Sequence, residues 1–320
     1  MKHFKKILSF ILSVILLTAC TTKKAVQQDV KIMALKGPTA MGLVHMMEEA
    51  KQGKISSNNY HFQIGKAVDE VSPLVAKGEV DIATVPANLS SVLYKNTNKE
   101  VKVLGINTLG VLYLVEMGNT INKIDDLKGR TIYASGKGAT PEYSLRYLLK
   151  KNNIQDVKIE WKSEHTEVVQ ALLKDPKGVA LLPEPFVTVA SMKQKKIHVA
   201  LDINAEWQKA EGMPLITGVV IARKDWVEKH PDVVKDFLKY YKESVDFSAS
   251  HIDETAKLID QYNIVKEQVA KKALPKCHIT LITGNDLKKQ LQSYLNILYQ
   301  QNPKAVGGSL PSDDFYYVAK

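Results

Sequence analysis

A repeated unit constrains the fold of this chain more than any other sequence feature. Each copy is a short apolar strand, then a turn containing glycine or proline, then the start of a helix. In the first copy, residues 30–35 form the strand and Gly37, Pro38, Thr39 and Ala40 form the turn. A helix that starts at such a turn leaves backbone N–H groups free. The turn can therefore hold an anionic or strongly polar group.

The unit recurs along the chain, with predicted strands at 80–85, 131–134 and 178–182. Alternating strands and helices predict an α/β fold with mainly parallel sheets that carry helices on both faces. In such sheets, ligands bind beyond the carboxyl ends of the strands. The four strand-end turns supply these candidate ligand-binding residues: Gly37, Pro38, Thr39, Ala40, Asn88, Ser135, Gly136, Lys137, Gly138, Ala139, Thr140 and Glu184.

Each of these turns also has a purely structural interpretation. Thr39 and Asn88 could simply cap the helices that follow them, and Glu184 could be exposed to solvent. The loop at 135–140 lacks the full GxxxxGK[ST] arrangement, so it is not a nucleotide-binding P-loop. If Glu184 faces the ligand, it would repel an anion and favour an N–H donor or a cation. The turns together predict a ligand with both donors and acceptors, such as a heteroaromatic compound or a zwitterion.

The composition is that of an ordinary globular protein, with 45% hydrophobic and 24% charged residues among 320. The formal charge of +10 is spread over lysine-rich helix faces. Because no dense basic run contains interleaved aromatic residues, the sequence does not predict nucleic-acid binding.

The first residues have the order of a secretory signal: a basic start, an apolar stretch at 7–17, and then Leu17-Thr18-Ala19-Cys20. The last four residues resemble a bacterial lipobox. That resemblance implies a signal peptide at 1–19, a lipidated and palmitate-carrying Cys20, and a tether at 20–28. The protein would then be anchored to the outer face of the cell membrane. The alternative is an ordinary cleaved signal with a chance cysteine.

The sequence displays no recognised catalytic or metal-binding motif. The eight histidines form no HxxxH or HExxH pair, and neither cysteine belongs to a CxxC motif. Cys277 and His278 lie on a predicted strand, where adjacent side chains point to opposite faces. Cys277 is therefore expected to be a buried structural residue, and no cofactor or metal is expected.

The order of these features resembles an extracytoplasmic substrate-binding lipoprotein of an ABC importer with the type II fold. It resembles most the group that serves nitrate, aliphatic sulfonates and thiamine-pyrimidine precursors. The matching stretches are 31–42, 80–83, 126–132 and 217–220, the last of which precedes a helical stretch at 225–241. The resemblance covers nearly the whole chain after the leader.

The resemblance implies two lobes joined by crossovers near 107–111 and 214–218. Lobe 1 would comprise 29–108 and 217–320, and lobe 2 would comprise 112–214. Thr108, Tyr113 and Thr217 flank the crossovers and would line the floor of the cleft. The turn at Gly37 and the loop at 135–140 would form two halves of a clamp.

In this interpretation the protein is a monomer that closes around a small polar, heteroaromatic or sulfonate-type solute. It would deliver that solute to the permease and ATPase of the importer. Two other functions stay open. An enzyme on the same fold, related to the menaquinone or pyrimidine pathways, would need a catalytic set that the sequence does not display. The cysteine-rich, iron-linked motif of the pyrimidine-synthase relatives is also missing. A surface adhesion lipoprotein would bind no small solute.

Overall fold

The computed structural model describes residues 27–66 and 68–319. The predicted signal peptide and the lipidated Cys20 lie outside the described residues, as does the tether apart from its last two positions. None of the helices in the described ranges combines the length and the apolar character that a membrane crossing requires.

Six strands form the first sheet, in the order β11-β4-β10-β3-β1-β2. Strands β1 and β2 are parallel, as are β1 and β3, whereas β10 runs antiparallel to both β3 and β4. Strand β11 is antiparallel to β4. The strands span Asp29–Leu35 (β1), Asn59–Gly65 (β2), Ile82–Pro86 (β3), Val101–Leu109 (β4), Ile216–Arg223 (β10) and Ile279–Ile282 (β11).

Five strands form the second sheet, in the order β7-β6-β8-β5-β9. Strand β6 is parallel to β7 and β8, and β5 runs antiparallel to β8 and β9. The strands span Leu112–Glu116 (β5), Thr131–Ala134 (β6), Lys158–Trp161 (β7), Val179–Pro183 (β8) and His198–Asp202 (β9).

The predicted two-sheet α/β fold is confirmed, but both sheets are mixed rather than mainly parallel. Apart from the pair of β11 with β4, the antiparallel pairs involve the two strands, β5 and β10, through which the chain passes between the sheets. It enters the second sheet through β5, and it returns to the first through β10, which inserts between β3 and β4. The alternation of strands and helices predicted the type of each element, but it carries no information on the direction of these two strands.

Helices cover the faces of both sheets. In chain order they are Pro38–Met41 (α1), Val44–Lys51 (α2), Val68–Ala76 (α3), Ala87–Asn96 (α4), Thr140–Lys151 (α5), His165–Lys174 (α6), Phe186–Lys193 (α7), Ile203–Glu211 (α8), Lys224–Lys229 (α9), Pro231–Ser250 (α10), Ile252–Gln261 (α11), Glu267–Ala273 (α12) and Gly284–Gln301 (α13). Short 3₁₀ turns span Ile124–Leu127, Leu274–Lys276, Pro303–Val306 and Asp313–Phe315.

One apolar cluster is shared by the two sheets. It contains Val85 and Ile106 from the first sheet, Leu114 and Leu181 from the second, and Tyr294 of α13. Burial of apolar surface contributes roughly 25 cal/mol per Å², so this shared cluster stabilises the packing of the two sheets against each other. The other faces of the first and second sheets bury separate clusters.

Candidate functional site

The turn after β1 is held by its own backbone. Gly37 precedes the four-residue helix α1 with a φ of 125°, a region that favours glycine, and its carbonyl accepts from the N–H groups of Ala40 and Met41. The Thr39 hydroxyl donates to the Leu35 carbonyl at 2.6 Å. Thr39 therefore does not cap the helix, and that structural interpretation was wrong. Pro38 occupies the first helical position, where its missing N–H is harmless.

Asn88 lies in the first turn of α4, directly after β3, and joins three parts of the chain. Its side chain is 1% exposed. The Nδ2 group donates to the carbonyls of Gly138, at 3.3 Å, and Ala305, at 3.1 Å. Its Oδ1 accepts from the Thr140 hydroxyl at 3.4 Å. Asn88 therefore links the strand ends of the two sheets instead of capping its own helix.

Thr140 is the partner of Asn88 from the second sheet's side of the junction. It is buried at the first position of α5, where its Oγ1 also accepts from the hydroxyl of Tyr294 at 3.5 Å. Tyr294 packs against Trp207 of α8, with 5.6 Å between the ring centroids. The junction between the sheets thus combines a small polar network with aromatic packing.

Ser135 contacts a histidine that the sequence analysis did not single out. Ser135 Oγ lies 2.5 Å from His165 Nδ1, and the His165 ring packs at a tilt against Phe186. Burial of the ring lowers the pKa of His165 to about 4, so the imidazole is neutral near pH 7. His165 begins the helix after β7, so the strand–turn–helix pattern could have identified it.

The loop between Ser135 and Thr140 closes on itself. Gly136 and Gly138 have φ values of 81° and 79°, which explains the two glycines. The Gly138 N–H donates to Glu142 Oε2 at 2.8 Å, and the Ala139 N–H donates to the Gly136 carbonyl. Lys137 is exposed. The N–H groups of Gly138 and Ala139 are therefore already engaged in this conformation.

Glu184 is fully buried after β8, so the solvent-exposed alternative was wrong. Its carboxylate accepts from the backbone N–H and the hydroxyl of Thr188, both at 3.1 Å. Burial raises the pKa of Glu184 above its ordinary value, although the Thr188 hydrogen bonds oppose that effect. Burial raises the pKa of the Cys277 thiol, and the negative charge of Glu184 adds to that effect.

The three residues predicted for the cleft floor lie beside the links between the sheets. Tyr113 donates its hydroxyl to the Lys276 carbonyl at 3.3 Å, and burial raises its pKa above the ordinary range. Thr108 donates to Asn107 Oδ1 at 3.3 Å, and Thr217 donates to the Leu109 carbonyl at 2.6 Å. Each of these three hydroxyls therefore donates to an acceptor within the protein.

The clamp is arranged differently from the sequence-based hypothesis. The loop at 135–140 is hydrogen-bonded across the junction to Asn88, not to the turn at Gly37. That turn is followed by Met41, whose Sδ lies 3.9 Å from the Sγ of Cys277. Sequence position alone could not pair the turns, because the pairing depends on how the two sheets face each other.

Cys277 and His278 precede β11 rather than lying on a strand, which corrects the predicted geometry. Cys277 is fully buried, as expected, and burial raises the pKa of its thiol. The Nδ1 of His278 bonds to the Gly110 carbonyl, within the link between β4 and β5. In the ranges 27–66 and 68–319, no group of three or more His, Cys, Asp or Glu residues could hold a metal ion.

Solved structures with the same fold cover almost all of this chain. An ABC transporter from Parabacteroides distasonis is 23% identical, with a TM-score of 0.77, covering 91% of this chain and 99% of that one. The periplasmic aliphatic sulphonate binding protein SsuA from Escherichia coli is 14% identical, with a TM-score of 0.73 and coverages of 91% and 92%. The ligand binding component of an ABC-type import system from Staphylococcus aureus is 15% identical, with a TM-score of 0.70 and coverages of 91% and 97%.

At these identities the likeness establishes the fold, and it confirms the predicted resemblance to the two-lobed binding-protein fold. No curated protein matches the chain. The family model VitK2_biosynth, described as menaquinone biosynthesis, matches residues 37–302. That span includes every predicted ligand-binding residue and most of both sheets, so the chain belongs to the menaquinone-biosynthesis family.

Proposed function

We propose that the protein is the solute-binding component of an ABC importer and captures a small polar solute between two lobes. The observation that carries the proposal is the link from Asn88 to Gly138 and Thr140, which joins strand ends of the two sheets. Ligands of open α/β sheets bind beyond such strand ends. An ABC transporter, a periplasmic sulphonate binding protein and the ligand binding component of an ABC-type import system share this fold, which supports this function.

The two lobes of the proposal are 29–108 with 217–320, and 112–214. The chain passes between the two sheets at 110–111 and again between the end of α8 and the start of β10. These two short links are the proposed hinge, and closure about them would enclose the solute. The protein would act as a monomer at the outer face of the cell membrane, anchored through Cys20, and would deliver the solute to a permease and its ATPase.

The residues proposed to meet the solute are those of the four strand-end turns, with Thr108, Tyr113 and Thr217 at the floor. In the closed arrangement several of their polar groups bond to one another. A bound solute would replace the bonds that Asn88 makes to Gly138 and Thr140. Replacing them requires a solute that both donates and accepts hydrogen bonds, such as a heteroaromatic, zwitterionic or sulfonate-type compound.

A thermal-shift screen tests this proposal. Pyrimidines, vitamins, sulfonates and amino acids are added separately to the protein without its leader. A solute present at about 100 times its Kd should add about 2.7 kcal/mol to the free energy of unfolding. The ATPase rate of the reconstituted transporter should then rise only with the loaded protein. If no solute stabilises the protein and the permease does not respond, the proposal is wrong.

An enzyme of the menaquinone route is the second candidate, and the family match at 37–302 favours it. The buried Glu184 carboxyl, with its raised pKa, is the side chain best suited to proton transfer at the junction. Mass spectrometry of each stabilising compound after incubation separates the two functions. A binding protein returns the compound unchanged, whereas an enzyme converts it and loses that activity in Glu184→Gln.

A further inference from the structure

One end of the second sheet carries a surface that is both basic and apolar. Strands β8 and β9 begin at this end, because Val179 and His198 both pair with Glu116, the last residue of β5. Helices α6 and α7 pack against each other and end shortly before these two strands, at Lys174 and Lys193. The proposed solute-binding turns follow the other ends of the strands, so this surface lies away from them.

The surface is rich in lysine. We call it the basic patch and define it by five lysines and two apolar residues: Lys174, Lys177, Lys193, Lys195, Lys196, Met192 and Val199. All seven side chains are exposed. In the part of the chain that the structure describes, none of the five ammonium groups is paired with a carboxylate. The patch is therefore a region of positive potential that a negatively charged partner would neutralise.

Two carboxylates border the basic patch, and both are engaged within the protein. Asp175 is half-buried and accepts from the Tyr133 hydroxyl at 3.0 Å and from the Lys177 N–H at 3.1 Å. Glu116 is 1% exposed and accepts from the N–H and the hydroxyl of Thr120, at 2.8 and 2.6 Å. The five lysines outnumber these two acids, so the patch keeps a net positive charge.

The patch also exposes apolar side chains. Met192 and Val199 are 41% and 39% exposed, and Leu173, at the end of α6, is 37% exposed. These are three of the five exposed large apolar side chains among the described residues. Val199 lies opposite Val115 on the sheet face that α6 and α7 cover, and its strand, β9, is at the edge of the sheet. Apolar side chains thus lie among the lysines of the patch.

This combination favours a lipid surface over other anionic partners. Each lysine close to an anionic bilayer strengthens binding by about fivefold. Apolar side chains between the lysines gain further by entering the boundary between the headgroups and the acyl chains. A single-stranded nucleic acid would also pair with the lysines, but it gains much of its affinity by stacking on aromatic rings. The patch, as defined, contains none.

We infer that the basic patch binds the surface of an anionic lipid bilayer. The five lysines pair with lipid phosphate groups, and Met192 and Val199 enter the headgroup layer. The contact leaves the proposed solute-binding turns free, because they lie at the other end of the sheet. In an anchored protein even a weak patch would be occupied, since the anchor raises its effective concentration at the membrane. The inference itself rests on the patch, and not on the proposed anchor or solute.

Sedimentation with lipid vesicles tests the partner. The protein is used without its leader and with Cys20→Ser, so that no covalent lipid contributes. Vesicles of phosphatidylcholine alone are compared with vesicles that contain about one quarter phosphatidylglycerol. We expect binding to the anionic vesicles only, and at least tenfold weaker binding when sodium chloride rises from about 50 to about 300 mM. No binding to the anionic vesicles, or equal binding to both compositions, overturns the inference.

A charge-reversal pair with a matched control locates the contact. Lys195→Glu combined with Lys196→Glu should weaken binding to the anionic vesicles by at least tenfold. Lys235→Glu combined with Lys257→Glu makes the same change in net charge on exposed positions of α10 and α11, and should weaken binding by less than about threefold. If the control pair loses as much affinity as the patch pair, the net charge of the protein and not the basic patch attracts the bilayer, and the inference is wrong.

A third variant separates a bilayer from other polyanions. Met192→Ser should weaken binding to the anionic vesicles by about threefold, because it removes an apolar side chain that enters the headgroup layer. Leu310→Ser is the matched control, since Leu310 is 39% exposed outside the patch, and it should bind as the unmodified protein does. Unchanged binding of Met192→Ser would show that the lysines hold an anionic polymer or an acidic protein rather than a bilayer, which overturns the inference.

Discussion

Asn88 and Thr140 meet where the two sheets face each other, and the Thr140 hydroxyl donates to Asn88 Oδ1 at 3.4 Å. Both side chains are buried, and Asn88 also donates to the carbonyls of Gly138 and Ala305. One asparagine therefore holds a strand end of the first sheet, a loop of the second sheet, and the segment after α13.

Asn88→Ala should lower the free energy of unfolding by about 1–3 kcal/mol, because it leaves the buried Ala305 carbonyl without this donor and the buried Thr140 hydroxyl without this acceptor. Urea denaturation at pH 7 measures the change. Asn96→Ala is the matched control, since Asn96 is exposed on the same helix and should alter stability by less than about 0.5 kcal/mol. Equal effects of the two substitutions would show that the Asn88 network adds no stability.

Thr140→Val keeps the shape of the side chain but removes the hydroxyl that joins Asn88 to Tyr294. Combined with Asn88→Ala it should show a coupling energy of about 0.5–3 kcal/mol, because the two residues share one network. The cycle is measured by the same urea titrations. Thr166→Val, at an exposed position, should be additive with Asn88→Ala. If the effects are additive in the Thr140 cycle as well as in the Thr166 cycle, the hydrogen bond between Asn88 and Thr140 does not contribute to stability.

Glu184→Gln should stabilise the protein more at pH 7.5 than at pH 4.5. Burial raises the pKa of Glu184 in the folded state, so folding favours the protonated carboxyl. The contribution of Glu184 to stability is complete below the pKa that it has in the unfolded chain. It is lost as the pH rises through the pKa that it has in the folded protein. Glutamine stays neutral and can still accept from Thr188. Unfolding titrations at both pH values test this, and the exposed Glu228→Gln should show no such difference.

His165→Gln should make the free energy of unfolding less dependent on pH between about 4 and 6.5. The folded pKa of His165 is about 4, below its ordinary 6.5, so protonation favours the unfolded chain. The stabilisation by neutral His165 is complete above 6.5 and disappears as the pH falls toward 4, by about 1–3 kcal/mol. The difference in unfolding free energy between wild type and variant should shrink over that interval. A constant difference would contradict the lowered pKa of the half-buried imidazole.

Cys277 should resist thiol reagents in the folded protein. It is fully buried, and burial raises its pKa, so little reactive thiolate is accessible. In a Cys20→Ser variant, Cys277 is the single cysteine of the chain. Its reaction with 5,5′-dithiobis(2-nitrobenzoate) should be slow in buffer and fast in guanidinium chloride. Rapid reaction without denaturant would show that the residue is exposed.

The sequence by itself determined most of the strands and helices, and it located the four strand-end turns. Asn88, Thr140 and Glu184 were identified because a strand, a turn and a helix start leave local patterns of apolar spacing, glycine and proline. The burial of Cys277 could also be predicted, because the residues around it form no metal-binding or catalytic motif. The family resemblance added the expected pair of crossovers.

Only the tertiary structure decided which turns meet. Asn88 pairs with Thr140, Ser135 with His165, and Glu184 turns back onto Thr188. The directions of β5 and β10 were decided at the same level, because they depend on how the chain passes between two sheets. These contacts join residues up to about fifty positions apart within the site. Local sequence patterns do not specify contacts between residues that are far apart in the chain. Packing of the shared apolar cluster brings these residues together.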